Sequence, residues 1–405
     1  MLDKNKQAAS KFGIDARLIE AKANTLKNIE ILGNDLTFLS LPEYERTKHV
    51  HRLHPYLGKF IPQLVEVFLR KYFKHGDTIL DPFSGSGTTL IEANALGINA
   101  IGIELSLFNV LIQQVKTRKY EIAEMESDIK DALRRLIYFS KGRESKTKPL
   151  FGQEQAKLMT DSEYLSEWFS ERSLNEILFY QSIISEYKNS DVLKVILSRS
   201  ARSARLITHY DLARPKEPVR EPYWCIKHNR ICQPIDGALK FIHRYSLDTI
   251  ARIKQFDKIR TNAYIEIIQC DSRSVDLSNY SDITGIFTSP PYIGMIDYHE
   301  QHRYAYELFK FPRQDDLEIG SAKKGQNGTA KEHYVNDMVK SFTNVASHLP
   351  KGAPIFIVAN DKYRIYPVIG EKCGFDLIDV FDRPVLMRTE RDSNKYFESI
   401  FYFLK

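Results

Sequence analysis

The sequence predicts an α/β fold with a seven-stranded, mostly parallel sheet, helices on both faces and a large helical insert after the second strand. The apolar run Asp77–Leu80 leads through a glycine-containing turn into a helix that ends near Gly97, and a second strand follows over Asn99–Leu105. Polar residues stand at the ends of the predicted strands. Later apolar runs supply the remaining strands, at Tyr264–Cys270, Asp282–Thr288, Ala353–Val358, Phe375–Phe381 and Glu398–Phe403.

The turn after the first strand reads Asp-Pro-Phe-Ser-Gly-Ser-Gly-Thr-Thr over residues 81–89. Its glycines permit a tight turn and allow a ligand to approach the backbone. A dinucleotide fingerprint requires a further glycine where the chain has Leu90, and a phosphate loop requires a lysine directly after Gly87, where the chain has Thr88. A nucleoside with little phosphate remains, and S-adenosylmethionine fits because its ammonium group suits the acid Asp81. The alternative is an ordinary tight turn without a ligand.

Glu104 ends the second strand, nineteen residues past Gly85. In a βαβ unit this spacing places a carboxylate within reach of a ribose diol. Ligands of such sheets bind at the carboxyl ends of the strands. We therefore expect Asp81, Glu104, Asp271 and Ser289, each at a predicted strand end, to lie at one site.

A second polar turn follows the apolar strand that leads to Ser-Pro-Pro-Tyr at residues 289–292. Two adjacent prolines fix two φ angles, so the carbonyl groups of the turn point in set directions. A tyrosine beside such acceptors suits a flipped base, because the ring stacks and the acceptors bind an exocyclic amine. The alternative is a strand terminator with a core tyrosine.

Together the two turns resemble the amino-methyltransferases of DNA, which methylate the exocyclic nitrogen of cytosine or adenine. In that family the first turn is the S-adenosylmethionine motif, and Ser/Asp/Asn-Pro-Pro-Tyr is the catalytic motif. The stretch His-Pro-Tyr-Leu-Gly-Lys-Phe-Ile-Pro-Gln-Leu at residues 54–64 resembles the family motif that closes over the cofactor. The resemblance covers roughly residues 48–110 and 262–405.

The resemblance implies the site residues. The implied catalytic set is Ser289, Pro290, Pro291 and Tyr292. In the family, an acid at the end of a third strand contacts the adenine, and Asp271 has this place. The implied cofactor-binding residues are Tyr56, Lys59, Phe60, Asp81, Pro82, Phe83, Ser84, Gly85, Gly87, Thr88, Thr89, Glu104, Leu105, Asp271 and Ser272.

Serine before the proline pair resembles the N4-cytosine branch of the family, whereas Asp or Asn is more usual in N6-adenine enzymes. The implied activity is direct methyl transfer from S-adenosylmethionine to cytosine N4 in double-stranded DNA, with base flipping, in a restriction-modification system. A restriction endonuclease that acts on the same site is then a candidate partner. The alternatives are an N6-adenine enzyme, an RNA base methyltransferase and a non-catalytic DNA-binding protein.

The chain has 405 residues, of which 43% are hydrophobic and 27% charged, as in globular proteins. Four cysteines do not form a disulfide framework in so long a chain, which predicts a reducing cytoplasm. No apolar run approaches the roughly 20 residues of a membrane span, and the N-terminus lacks the apolar core of a signal peptide. We divide the chain into an N-terminal helical extension (1–47), a catalytic domain (48–110 and 262–405) and a helical basic insert (111–261).

The insert carries the positive charge. Residues 191–260 contain fifteen Lys/Arg and seven Asp/Glu, a net charge of +8 against +6 for the whole chain. Arg199, Arg202 and Arg205 are spaced by three and predict one helical face, and Lys216 and Arg220 follow in a proline-rich loop. Such a cluster suits a phosphate backbone, and the insert is the predicted target-recognition region. The alternative is a solvated helix face.

Cys225, His228 and Cys232 form the pattern Cys-x2-His-x3-Cys in the same loop. A structural zinc site requires four ligands. His209 or His243 is available as a fourth, but the spacing matches no established zinc pattern. We therefore predict no metal and interpret these residues as packed loop residues.

Overall fold

The computed structural model describes residues 36–38, 41–56, 60–144, 158–211, 215–385 and 396–405. Within these ranges it forms a seven-stranded sheet and a separate two-stranded hairpin. The strands are β1 (Thr78–Asp81), β2 (Asn99–Glu104), β3 (Tyr223–Cys225), β4 (Arg230–Cys232), β5 (Ile265–Gln269), β6 (Ile283–Thr288), β7 (Pro354–Ala359), β8 (Asp376–Val385) and β9 (Tyr396–Leu404).

The large sheet has the order β5-β2-β1-β6-β7-β9-β8. The strands from β5 to β7 in this order pair in parallel, and β9 is antiparallel to both β7 and β8. The predicted seven-stranded, mostly parallel sheet is therefore confirmed. The last two strands are longer than predicted, and the charged run Arg388–Lys395 between them lies outside the described residues.

The described α-helices alternate with the strands and extend into the insert. They are α1 (Glu43–Arg46), α2 (Pro62–Tyr72), α3 (Thr88–Ala95), α4 (Leu107–Thr117), α5 (Ile122–Glu144), α6 (Glu163–Trp168), α7 (Glu171–Ile183), α8 (Ser190–Ala204), α9 (Leu239–Asp257), α10 (Tyr298–Gln301), α11 (Arg303–Phe309), α12 (Gly328–Ala346) and α13 (Tyr366–Lys372). None of the described helices is long and apolar enough to cross a membrane.

Successive residues of the central strands pack on opposite faces of the sheet, as the pleat requires. Ile79 and Phe287 join a core with residues of α2 and α3. Leu80 and Ile286 join a second core, on the other face, with residues of α12 and α13. Both faces are therefore buried, which explains why these strands are continuous apolar runs in the sequence.

The insert shares a hydrophobic core with the catalytic part of the chain. Residues of α5, α7, α8 and α9 belong to one buried cluster that also contains Phe108 and Ile112 of α4 and Tyr304 of α11. The insert therefore packs on helices that flank the sheet. The hairpin β3–β4 within the insert was not predicted. Residues 1–35 of the predicted N-terminal extension lie outside the described residues.

The segment after the Ser-Pro-Pro-Tyr turn contains two short helices, α10 and α11, which are divided at His302. In the insert, α5 continues to Glu144, into the polar run at 141–149. The remainder of this run lies outside the described residues.

A buried ion pair joins the last two strands next to the Ser-Pro-Pro-Tyr turn. Arg383 and Glu398 are register partners on β8 and β9, and the guanidinium donates to Glu398 Oε2 from Nη2 at 2.7 Å and from Nε at 3.1 Å. Their side chains are only 4% and 1% exposed. The Tyr292 hydroxyl donates to Glu398 Oε1 at 3.0 Å. The pair therefore also anchors the tyrosine of the turn.

We predict that Arg383→Ala lowers the free energy of unfolding by about 3–5 kcal/mol, because it leaves the Glu398 carboxylate buried without its cation. Chemical denaturation measures this directly. Arg134→Ala is the control, because Arg134 pairs with Asp131 on an exposed helix face and is 65% exposed. We expect the control to cost less than about 1 kcal/mol. Equal effects of the two changes would contradict the prediction.

Candidate active site

A cavity lies at the carboxyl ends of β1, β2, β5 and β6 and contains about 870 Å³ including its open mouth. Residues predicted from the sequence form most of its lining: Tyr56, Phe60, Asp81, Pro82, Phe83, Ser84, Gly85, Thr88, Glu104, Leu105, Asp271, Ser272, Ser289 and Pro291. The predicted residues Gly87, Thr89, Pro290 and Tyr292 lie beside this lining, and Lys59 is outside the described residues.

Asp81 connects the two predicted motifs. It ends β1 with 2% of its surface exposed, and its Oδ1 accepts hydrogen bonds from the Thr288 hydroxyl at 2.6 Å and from Phe83 N at 3.1 Å. Thr288 is the last residue of β6, directly before Ser289. Burial raises the pKa of Asp81 to about 6.

The loop after Asp81 has the left-handed conformations that its glycines predict. Gly85 has φ +51° and Gly87 has φ +80°. A Cβ atom on Gly85 would lie 3.3 Å from the ring of Tyr56, and one on Gly87 would lie 3.0 Å from the Gln113 side chain. A side chain at either position would therefore be strained and crowded. The stretch before α2 reaches the loop through Tyr56.

Helix α4 holds the loop from behind. Gln113 Nε2 donates to the Gly85 carbonyl at 2.9 Å, and the buried Lys116 Nζ donates to the Ser86 carbonyl at 2.7 Å. The Ser84 hydroxyl lies 3.0 Å from the Ile103 carbonyl and 3.1 Å from Gln113 Oε1, both within hydrogen-bonding distance. The sequence analysis missed Gln113 and Lys116. Their signal was weak, because α4 also contains the polar residues Asn109, Gln114 and Thr117, and nothing local distinguishes Gln113 and Lys116 from them.

Glu104 lies at the cavity wall where the spacing predicted it. Its Oε1 accepts hydrogen bonds from Ser106 N at 2.8 Å and from Asn109 Nδ2 at 3.3 Å. Burial raises the pKa of the Glu104 carboxyl to about 7. The carboxylate is thus oriented by backbone and amide donors of α4 and its N-terminus, and a hydroxyl donor in the cavity would favour its ionised form.

Aromatic rings form another wall. The ring of Tyr56 is stacked with that of Tyr298 at 5.9 Å and with that of His302 at 5.9 Å. Phe60 lines the cavity and packs edge-on against Phe287 at 5.7 Å. Phe60 therefore belongs both to a hydrophobic core and to the cavity wall.

The end of β5 brings Cys270, Asp271 and Ser272 to the cavity. The Asp271 carboxylate is paired with Arg273, whose Nε lies 3.0 Å from Oδ1 and 3.1 Å from Oδ2. Arg273 also pairs with Asp337 of α12 at 3.0 Å. Asp271 is therefore held by a cation that the sequence analysis did not consider.

The Ser-Pro-Pro-Tyr turn is anchored on the side away from the cavity. Ser289 and Pro291 line the cavity, while the Pro291 carbonyl accepts a hydrogen bond from the Tyr334 hydroxyl at 2.7 Å. Tyr292 is 7% exposed and is bound through its hydroxyl to Glu398. These contacts fix the turn, so that the position of Ser289 is set by the core.

A histidine and a glutamate at the cavity were also missed. Glu318 Oε1 accepts from His299 N at 2.8 Å and also contacts His299 Nδ1, and Glu318 Oε2 accepts from Tyr298 N at 3.2 Å. His299 is 1% exposed, and its Nε2 has no hydrogen-bond partner within the described part of the chain. The two residues are nineteen positions apart, and no local pattern links them.

The arginines predicted to form a DNA-binding face require a correction. Arg199 is 6% exposed, pairs with Asp248 at 2.6 Å and lies over the Tyr245 ring at 4.1 Å. Arg205 is 5% exposed and lies over the ring of Tyr304 at 5.1 Å. These two side chains therefore pack inward and do not form a solvated face.

Arg202 lies between these arginines on α8 and is half-buried, and burial lowers its pKa. Lys216 and Arg220, in contrast, are exposed in the loop before β3. Of the five residues predicted to bind DNA, only Lys216 and Arg220 are therefore exposed, and both lie in this loop and not on α8.

Comparison with known proteins places this geometry in a family. Residues 4–114 match the family model described as DNA methylase. The type II methyltransferase M.MjaII of Methanocaldococcus jannaschii is 43% identical, over 91% of this chain and 82% of its own. The type II methyltransferase M.MvaI of Kocuria varians is 22% identical, over 77% of this chain and 70% of its own. The type II methyltransferase M.BsoBI of Geobacillus stearothermophilus is 27% identical, over 70% of this chain and 57% of its own.

The residues at the cavity fit S-adenosylmethionine, the methyl donor of the family. Two carboxyl groups, Asp81 and Glu104, lie in one cavity with aromatic walls, and the loop is open to a ligand at Gly85. This set suits an adenosine with a cationic tail. The extensive similarity to M.MjaII and the family-model match agree with the two motifs. The chain belongs to the DNA amino-methyltransferase family, and within it to the type II methyltransferases.

Proposed function

We propose that this protein methylates the N4 atom of cytosine at a specific site in double-stranded DNA. The observation that carries this proposal is the place of Ser289. It follows β6 directly, it lines the cofactor cavity, and its neighbour Thr288 is hydrogen-bonded to Asp81 of the cofactor loop. The serine that distinguishes the N4-cytosine branch thus stands beside the methyl donor's site.

S-adenosylmethionine would supply an activated methyl group on a sulfonium: the N–C bond would form as the S–C bond breaks, with S-adenosylhomocysteine as the leaving group and the proton of the amine released to water. In our proposal Glu104 accepts hydrogen bonds from the ribose hydroxyls, and Asp81 orders the loop around the amino-acid tail. Asp271, or the Arg273 pair that holds it, contacts the adenine. Tyr56 and Phe60 pack on the apolar parts of the ligand and exclude water.

The exocyclic amine is a poor nucleophile because its lone pair is delocalised into the ring. The Ser289 hydroxyl and the Pro290 carbonyl accept hydrogen bonds from its two N–H groups, which favours a pyramidal nitrogen with the lone pair directed at the donor. Positioning supplies much of the remaining rate enhancement. We propose that Tyr292 stacks on the flipped base. Its hydroxyl contact with Glu398 would then fix the plane of the ring.

Adenine N6 is the second candidate for the target, since cytosine and adenine present a similar amine edge to a serine and a carbonyl group. An RNA base is less well supported, because related RNA enzymes usually have an acid or asparagine before the proline pair. A cognate restriction endonuclease would fit the type II context and belongs to the proposal.

We propose that the exposed basic loop at 215–232 contacts the DNA backbone. Lys216 and Lys227 are exposed there, together with Arg220 and Arg230. The hairpin in the same loop presents the side chain of Trp224, which is 57% exposed. Basic groups beside an exposed aromatic ring suit binding to nucleic acid. The sequence predicted this role for α8 and this loop together, and the proposal keeps it only for the loop.

The first prediction concerns the cofactor. Glu104→Ala removes two charge-assisted hydrogen bonds to the ribose, each of about 1.5–3 kcal/mol, so titration calorimetry will show much weaker S-adenosylmethionine binding. Glu266→Ala is the control, because Glu266 is exposed on the neighbouring strand β5. Equal affinities in the two folded variants would show that the ribose assignment is wrong.

The same carboxyl group predicts a pH dependence. Its pKa of about 7 means that it is largely protonated at lower pH, whereas ribose hydroxyls bind the ionised form better. Affinity should therefore rise with pH, by at most about tenfold from about pH 6 to about pH 8 if only the ionised form binds. In Glu104→Gln this rise of affinity with pH should disappear. Only the pH dependence of affinity that comes from Asp81, at lower pH, should remain. A wild-type affinity that is constant over this range would contradict the assignment.

The second prediction concerns the target base. We expect Ser289→Ala to lower turnover by about 10- to 100-fold, or about 1.4–2.7 kcal/mol, with little change in DNA affinity. Ser278→Ala, which removes an exposed hydroxyl, is the control. Mass spectrometry of nucleosides from methylated DNA identifies the base. N6-methyladenine without N4-methylcytosine would refute the cytosine assignment, and the cofactor assignment would stand.

The third prediction concerns DNA binding. Lys216→Ala with Lys227→Ala should reduce the salt dependence of DNA affinity by about one slope unit for each lost phosphate contact. Lys351→Ala with Lys372→Ala is a matched control, since both lysines are exposed and lie at the opposite end of the sheet, before β7 and β8. The basic loop would lose its proposed role if both double variants showed the wild-type slope.

A further inference from the structure

The hairpin β3–β4 brings together two cysteines and two histidines from separate parts of the insert. Cys225 ends β3, His228 lies in the turn, and Cys232 ends β4. His209 comes from the segment after α8, sixteen residues before Cys225. One potential ligand atom of each of the four residues lies within 4.8 Å of the others.

The distances agree with a single tetrahedral metal ion. The Sγ atoms of Cys225 and Cys232 are each 3.5 Å from His228 Nδ1, and Cys225 Sγ is 3.8 Å from His209 Nδ1. With Zn–S of about 2.3 Å and Zn–N of about 2.0–2.1 Å, tetrahedral geometry sets neighbouring sulfur and nitrogen atoms about 3.5 Å apart. We propose that His209, Cys225, His228 and Cys232 bind one structural Zn²⁺ ion.

The hairpin needs a cross-link of this kind. Its strands are three residues long, and a two-stranded hairpin of this size is unstable alone in water. The cross-strand pair Trp224 and Ile231 points outward, with side chains 57% and 65% exposed. The side of the hairpin that faces the protein is therefore organised by the four ligands rather than by a large apolar core.

Contacts outside the cluster bring His209 to the hairpin. Its backbone N–H donates to the Tyr223 hydroxyl at 3.0 Å, and Val219 N donates to the Leu206 carbonyl at 2.8 Å across the same loop. In the pattern His-x15-Cys-x2-His-x3-Cys, tertiary contacts therefore bring the first histidine to the three later residues. This is why the spacing in the sequence, which offered His209 or His243 as a fourth ligand but matched no established zinc pattern, led us to assign no metal.

The ligand set selects the metal and its role. Two thiolates and two imidazoles in a tetrahedron favour zinc, and four protein ligands leave no position for a substrate, so the site is structural. Two thiolates neutralise the charge of the Zn²⁺ ion. The site therefore adds no net charge, and the net positive charge of the surrounding loop is unchanged. The inference does not depend on the proposed target base, because the cavity and the zinc site share no residue.

The experiment uses the full chain purified without a metal-affinity step, with metal content measured by inductively coupled plasma mass spectrometry. We expect about one zinc per chain in the wild type, and much less in Cys232→Ser and in His228→Ala. Cys373→Ser is the matched control and should keep its zinc, because Cys373 lies after α13, far along the chain from the cluster. Limited proteolysis should cut the 215–232 loop faster in the two ligand variants, while S-adenosylmethionine still binds.

The wild-type protein gives an independent test if the ligand variants do not fold. Titration with a mercurial reagent should release zinc as two thiols react, and cobalt substitution should give the absorption of a tetrahedral cobalt–thiolate site. Wild-type protein that contains no zinc and does not take it up in the reduced state would overturn the proposal. A disulfide between Cys225 and Cys232 in the native protein, or full zinc content in both variants, would also overturn it.

Discussion

The hydrogen bond from Thr288 to Asp81 joins the two motifs on which the site depends. β1 and β6 are parallel neighbours, so the loops that follow them leave the sheet at the same edge. At 2.6 Å and in a buried position, this contact fixes the start of the cofactor loop against the start of the Ser-Pro-Pro-Tyr turn. The distance between the two turns is thus set by strand pairing in the core, which varies less than the position of a free loop.

The insert supports this arrangement although it interrupts the cofactor half of the chain. Helix α4 leads from β2 towards the insert, and it holds the cofactor loop through Gln113 and Lys116. The Ser106 and Tyr306 hydroxyls, 2.8 Å apart, join the start of α4 to α11. The loop after β1, the segment after the Ser-Pro-Pro-Tyr turn and the insert therefore pack around one group of helices.

Burial determines which basic residues of the insert stabilise the fold and which are accessible to a ligand. Arg199 and Lys216 both contribute to the same positive excess in the sequence, yet Arg199 is in the core with Asp248 and Tyr245, and Lys216 is at the surface. A buried arginine is retained by its ion pair and its aromatic contact, and its substitution affects stability. Only the exposed cations are available to a phosphate backbone.

By itself the sequence determined the seven strands of the large sheet, the glycine turn, the Ser-Pro-Pro-Tyr turn and the place of Glu104. These features are local, because hydrophobic period, turn chemistry and the length of one βαβ unit are all set within about twenty to thirty residues. Only the tertiary structure decided which side chains meet across long stretches of chain. The hydroxyl of Tyr292 binds Glu398, which lies 106 positions later in the chain. His209 contacts a hairpin that the hydrophobic pattern of the sequence did not predict. Such contacts follow from the packing of the whole chain, and the residues next to them in the sequence do not indicate them.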